Sequence, residues 1–175
     1  MPSFAEHKKK WIDCKLCPLS ERRTHVVLLR GRIPCNVLFV GEAPGAGEDA
    51  TGRPFIGPAG RLLDRIIEES LEGKYSYALT NLVGCIPIGE EGSKTAEPPV
   101  EAIVKCAPRL IEITKMCRPS LVVLVGKLSE KHFPLSGYRT TCIIHPAAIL
   151  RMDVSQQGLA IQRTIVQIRN AVEID

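Results

Sequence analysis

The sequence predicts an α/β fold: a single domain over residues 1–175, with a mainly parallel central sheet flanked by helices on both faces. Three observations lead there. Val37-Leu38-Phe39-Val40 and Leu121-Val122-Val123-Leu124-Val125 are unbroken apolar runs of strand length, the mark of strands buried on both faces. The segments between such runs carry apolar residues at helical spacing, so strands and helices alternate. No repeat, low-complexity tract or linker divides the chain.

The first apolar run breaks into a long loop, residues 41–60, that carries six glycines, three prolines and three carboxylates. Leu62-Leu63 and Ile66-Ile67 then follow at helical spacing, which makes the unit a strand, a long irregular loop and a helix. In an open α/β sheet such a loop lies at the carboxyl end of its strand, where ligands bind. The apolar Pro54-Phe55 pair in its middle speaks for a functional loop over a disordered one. Residues 75–80 alternate well enough for a second strand, which delivers Thr80-Asn81 to its end with Cys85 four residues on. After a polar, Gly- and Pro-rich loop over 87–99, Pro98-Pro99 opens a helix with the stripe Val100, Ile103, Val104, Leu110, Ile111. Pro108 inside that stripe implies a kink or a break after Ala107. Arg118-Pro119 ends the helical region. Residues 121–125 form a central strand ending at Gly126, and residues 139–144 another, ending at His145-Pro146. Residues 155–174 close the domain as one long amphipathic helix, with Leu159, Ile161, Ile165, Ile168 and Val172 near helical spacing.

A content of 45% apolar and 24% charged residues over 175 positions is that of a soluble globular domain with a substantial core. The net charge of +4 and pI near 8.7 permit contact with a polyanion without demanding it. No apolar run approaches the roughly 18 residues of a membrane span, and residues 1–10 are basic with no signal core behind them, so the expectation is a cytoplasmic protein with no membrane partner. Seven cysteines, an odd number, argue against a fully paired disulfide framework, and a close pair in a reducing compartment means metal or redox chemistry. Cys14-Lys15-Leu16-Cys17 is such a pair, placed before any βαβ unit, where a thioredoxin motif would not stand. With Cys85 and Cys106 it supplies four thiolates, a set that suits either zinc or a cubane iron–sulfur cluster. Cys35, Cys117 and Cys142 lie in or beside apolar runs and read as small core residues. His7, His25 and His132 read as surface or packing residues.

Two phosphate-loop motifs fail on spacing: Gly60 is followed by Arg61-Leu62 instead of Lys-Ser/Thr, and Gly41, Gly45 and Gly47 do not hold the dinucleotide fingerprint. What the loop does match is a longer pattern. Gly41-Glu42-Ala43-Pro44-Gly45, Glu48-Asp49, Gly52, Pro54-Phe55, Gly57 and Ala59-Gly60 resemble the first motif of the uracil-DNA glycosylase superfamily, in the form of its iron–sulfur branch, family 4. His145-Pro146-Ala147-Ala148-Ile149-Leu150-Arg151 resembles the second motif.

The resemblance implies a monofunctional glycosylase that flips deoxyuridine out of DNA, hydrolyses its N-glycosidic bond, and releases free uracil to leave an abasic site. It assigns Gly41 and Ala43 to the base pocket, Phe55 to stacking on the flipped base, and Asn81 to reading the uracil edge, since an amide can accept from N3–H and donate to O4. His145 becomes the donor to the developing uracil anion. Glu48 would face the cationic sugar and position the water, Glu42 would shape the pocket, and Asp49 would anchor the loop; a plainer alternative has all three capping loop amides. Phosphate contacts are expected from loop amides, Lys127, Ser129 and Arg151. Cys14, Cys17, Cys85 and Cys106 fall where the family places [4Fe-4S] ligands. The interval from Cys85 to Cys106 is longer than the family's, through residues 89–95, which leaves Cys117 as the rival fourth ligand. The expected partner is uracil-containing DNA, bound by a monomer in the cytoplasm at the nucleoid. Two rival classes are a DNA-binding relative that kept the fold and cluster without catalysis, and a zinc-stabilised α/β protein acting on another nucleotide.

Overall fold

The sheet is built around residues 37–41, whose side chains alternate between two hydrophobic layers. The computed structural model describes residues 3–87, 89 and 96–173. Among them, five strands form one sheet: β1 (Arg30–Gly31), β2 (Val37–Gly41), β3 (Tyr77–Asn81), β4 (Leu121–Val125) and β5 (Thr140–Ile143), in the spatial order β1-β3-β2-β4-β5. β3, β2, β4 and β5 run parallel, and β1 pairs antiparallel with β3 at the edge. Because successive strand residues point to opposite faces, Val37 and Phe39 enter one core with Leu79, Val123 and Ile143, while Leu38 and Val40 enter the other with Ala78, Val122 and Leu124.

Helices cover both layers. They are α1 (Phe4–Trp11), α2 (Ala46–Thr51), α3 (Pro58–Leu71), α4 (Val100–Cys117), α5 (Lys127–His132), α6 (Pro146–Leu150) and α7 (Val154–Glu173). The first core is closed by Leu63, Ile66 and Ile67 of α3, Ile149 of α6, and Ile165 and Ile168 of α7. The second is closed by α4 through Ala102, Ile103, Leu110, Ile113, Met116 and Cys117. No helix among the described residues is long and apolar enough to cross a membrane.

Several elements depart from the sequence expectation. The helix with Pro108 does not break after Ala107; α4 runs unbroken through it. Buried residues on both sides of Pro108 hold the helix to the sheet, and each is worth roughly 1.5–3 kcal/mol, which outweighs the ~3 kcal/mol local cost of the proline. The loop over 41–60 is interrupted by α2, which ends at Gly52 in the left-handed conformation, φ 73°. Residues 3–11, read only as basic, form α1 behind a capping box in which Ser3 and Glu6 bond reciprocally. α1 docks on α4 through Glu112, which accepts from Trp11 Nε1 at 2.8 Å, pairs with His7 Nδ1 at 2.9 Å, and also bonds Lys10. Residues 90–95 of the loop that lengthens the Cys85 to Cys106 interval, and Ile174 of the last helix, lie outside the described residues.

Candidate functional site

The carboxyl ends of β2, β3, β4 and β5 meet around a cleft of about 600 Å³ lined by Glu42, Ala43, Glu48, Phe55, Asn81, His145 and Arg151, among others. The register explains part of this. Gly41 stands opposite Asn81 in the β2–β3 ladder, and β2 lies where chain order reverses across the sheet, the place where open α/β sheets bind ligands. A side chain at position 41 has no room: a Cβ there would collide with the Phe55 ring and stand 2.5 Å from Asn81 Oδ1. The glycine lets the ring and the amide approach each other.

Phe55 is 7% exposed and sits at φ 57°, a left-handed conformation that costs a non-glycine residue roughly 1–3 kcal/mol. Arg30 holds it there. Its Nε donates to the Pro54 carbonyl at 2.9 Å, and its Nη2 donates to the Phe55 carbonyl at 3.0 Å and to Asp64 Oδ1 at 2.8 Å. Asp49, buried at 8% exposure, ties α2 to the chain before β1 by accepting from the Thr24 and His25 amides at 2.8 and 3.3 Å.

His145 caps α6, its Nδ1 accepting from the Ala147 N–H at 3.1 Å. With Nδ1 an acceptor, the neutral ring carries its proton on Nε2, and no partner takes that proton among the described residues. Burial, then the nearby Arg151 guanidinium, hold the imidazole below its ordinary pKa and so favour the neutral form. Gly126, at φ 96°, brings the end of β4 against this ring: a Cβ there would meet Glu42 Oε1 at 2.8 Å and His145 Cβ at 3.3 Å. Glu42 is half-buried, and burial, then Glu97, raise its carboxyl while Arg151 lowers it. Glu48 accepts a long hydrogen bond from the Gly57 amide at 3.5 Å. Two carboxylates, one neutral imidazole donor, an amide and a buried aromatic therefore face one cleft.

The expected phosphate contacts divide. Arg151 lines the cleft and is exposed, and Lys127 is exposed at the first turn of α5. Ser129 is corrected: it is fully buried and its hydroxyl donates to the Val125 carbonyl at 3.4 Å, so it props the turn after β4 and does not face solvent.

On the far side of β3, Cys14, Cys17, Cys85 and Cys106 line one small cavity with Trp11, Val26 and Arg109. Cys117 does not line it; it is fully buried in the α4 core beside Cys35. Among the described residues, no group of three or more His, Cys, Asp or Glu side chains is arranged to hold a single metal ion. Four thiols disposed around a cavity fit a larger group, since a cubane spreads its ligands over four irons. The donor chemistry fits as well. Cys106 Sγ accepts from the Gly84 N–H at 3.4 Å and from Arg109 Nε at 3.1 Å. Burial pushes the Cys85 thiol up to about 12, with Cys106 and Cys17 adding to the rise. A thiolate at Cys85 would therefore need positive charge close by. Arg30 and Arg109 carry no mark in the sequence, because the carbonyls they clamp lie far along the chain.

A family model described as the uracil DNA glycosylase superfamily matches residues 30–166. The chain is 35% identical over 168 residues to a type-4 uracil-DNA glycosylase of Thermotoga maritima, a match covering 86% of this chain and 83% of that protein. It is 36% identical over 133 residues to the type-4 enzyme of Sulfurisphaera tokodaii, covering 75% of this chain. It is 34% identical over 120 residues to that of Saccharolobus solfataricus, covering 68% of this chain. These two matches span 58% and 53% of the relatives' own lengths. All the cleft residues named above fall within the span of the family model, and on these matches the chain belongs to the uracil DNA glycosylase superfamily.

Proposed function

We propose that the protein excises uracil from DNA, hydrolysing the N-glycosidic bond of a flipped deoxyuridine. The observation that carries the reading is the free Nε2–H of a neutral His145 in the same cleft as Phe55 and Asn81. Phe55 stacks on the extruded base. Asn81 selects uracil, because cytosine reverses donor and acceptor at that edge and leaves a buried polar group unpaired, at a cost of roughly 1–3 kcal/mol.

The glycosidic bond breaks with its electron pair leaving on the uracil, while C1′ of the sugar becomes oxocarbenium-like. His145 donates from Nε2 to the uracil O2 as negative charge develops there, an effect worth on the order of 3–4 kcal/mol for one such donor. Glu48 faces the sugar cation and orients the water that captures C1′; the proton that this water loses is matched by the proton that the uracil anion takes up, leaving the abasic sugar and neutral free uracil. Glu42, raised toward its neutral form, shapes the base pocket beside His145. Lys127 and Arg151 supply phosphate contacts at the rim.

Cys14, Cys17, Cys85 and Cys106 would hold a [4Fe-4S] cluster, which when bound supplies a cross-link between the N-terminal segment and the sheet and takes no part in this non-redox hydrolysis. Release of free uracil from a uracil-containing oligonucleotide, with alkaline strand scission, tests the activity; iron analysis tests the cofactor. Four irons per chain are the expectation for one cubane. Binding of the oligonucleotide without release would favour the non-catalytic relative, and stoichiometric zinc without iron would overturn the cluster.

A further inference from the structure

Arg109 is 1% exposed, yet no carboxylate pairs with it among the described residues. A guanidinium that far from water is costly unless both its donors and its charge are matched. The donors are matched. Nη2 donates to the carbonyls of Asn81 at 2.5 Å and Leu82 at 3.2 Å, Nη1 donates to Thr80 Oγ1 at 3.4 Å, and Nε donates to Cys106 Sγ at 3.1 Å. The Thr80 hydroxyl in turn donates to the Leu28 carbonyl at 2.6 Å. Carbonyls and a hydroxyl leave the positive charge uncompensated. A thiolate at Cys106 compensates it, and the Gly84 N–H converging on the same sulfur at 3.4 Å is the arrangement expected around an anion.

We propose that Arg109 is a positioning residue for uracil recognition: one guanidinium is both counter-charge to the Cys106 thiolate and clamp on the peptide carbonyl of Asn81. The inference rests on the reading of the four cysteines as cluster ligands. Cys106 and Arg109 are three residues apart on α4, so they share one face of the helix. A single helical turn therefore joins the thiol cavity to the end of β3. Four thiolates around a cluster core leave a net negative site, which the buried arginine balances from the side facing the substrate cleft. The thiol cavity thereby acquires a part in base recognition without any electron transfer, by fixing the backbone from which the Asn81 amide projects. Gly84 lies close by, where a Cβ would stand 3.0 Å from Val26 Cγ1 and 3.3 Å from the Val27 carbonyl oxygen.

The test compares wild type with Arg109→Met, which keeps the length and loses the charge and the fork, and Arg109→Lys, which keeps the charge alone. Three quantities are measured on the iron-loaded proteins: reduction potential, single-turnover uracil release, and affinity for the uracil oligonucleotide. Arg109→Met is expected to shift the potential negative, because a cationic donor to a ligand sulfur is lost. Its excision rate should fall by about tenfold or more with affinity nearly unchanged. Arg109→Lys should hold the potential nearer to wild type and still lose rate, since one ammonium cannot serve both the sulfur and the Asn81 carbonyl. If Arg109→Met does not fold, Arg109→Lys decides alone, and a wild-type rate in it overturns the proposal. An iron-loaded Arg109→Met with unchanged potential and rate also overturns it, leaving the cluster reading intact. A wild-type protein that binds no iron overturns both.

Discussion

Arg30 does not line the cleft, yet replacing it with Met should loosen the loop that does. The Arg30 side chain gives two charge-assisted hydrogen bonds to the carbonyls of Pro54 and Phe55, at 2.9 and 3.0 Å. Bonds to charged groups contribute roughly 1.5–3 kcal/mol each. The Asp64 pair at 2.8 Å is partly solvated, its side chains 18% and 35% exposed, and adds no more than about 1 kcal/mol. Against this stands the strain of Phe55 at φ 57°, roughly 1–3 kcal/mol. Two such bonds, roughly 3–6 kcal/mol together, outweigh the strain they hold; without them the residue relaxes out of the left-handed region, and the strain released offsets part of the loss. The expected result is a loss of about 2–3 kcal/mol in urea unfolding. If the ring leaves its place against Gly41, stacking worth roughly 1–3 kcal/mol is lost, a fall of about five- to 150-fold in single-turnover excision. Phe55→Leu should fall by a similar factor. The double variant should be no slower than the worse single one, because both remove the same contact. Wild-type stability and rate in Arg30→Met, or a doubly additive loss, would refute the clamp.

Asn81→Asp should weaken uracil excision and admit cytosine poorly but measurably, because an ionised carboxylate cannot donate to O4; unchanged uracil excision removes Asn81 from the pocket. Glu48→Gln should slow cleavage more than it weakens binding, and Glu42→Gln should do less; the reverse order in single-turnover rates would exchange their roles. On pH, the lowered imidazole of His145 keeps the donor neutral, so the rate should hold down through the ordinary histidine range near 6.5 and fall only on its acid side. The sign for stability follows from linkage. The His145 contribution is present above the unfolded value and lost as pH falls through the lowered folded one. Glu42 acts oppositely, stabilising below 4.5 and losing that contribution as pH rises through its raised folded value. A pH–rate profile and urea midpoints of the His145 and Glu42 variants between roughly pH 4 and 8 check both, a range that spans the ordinary values of the two groups, 4.5 and 6.5.

Much of the sheet was legible because buried strands are written as local apolar runs: residues 37–40 and 121–125 need no distant information. The loop after β2 was legible because it packs so many glycines and prolines between an apolar strand and an amphipathic helix. The rest depended on partners far along the chain. β1 is two residues long and has no periodicity to read; its reality lies in Arg30 opposite Leu79 and Gly31 opposite Ala78. The passage of α4 through Pro108 was a local rule overridden by packing. The Ser129 burial follows from the tight turn after Gly126, which composition does not encode. Arg30 and Arg109 read as solvated by default, since arginine is seldom buried, and only the fold shows their partners at Phe55 and Asn81. The N-terminal helix is the exception: its Ser3–Glu6 capping box is a local signal written in the sequence.

In the proposed mechanism a neutral His145 stabilises the departing uracil. His145→Ala and His145→Leu, assayed under single turnover on a uracil-containing oligonucleotide alongside direct binding, test it most plainly. Because the interaction belongs to the transition state, the rate should drop by on the order of a hundredfold or more, while affinity, supplied mainly by phosphate contacts, should stay near that of the wild type. Equal losses of rate and binding would make the histidine a structural or phosphate-contacting residue and contradict the mechanism.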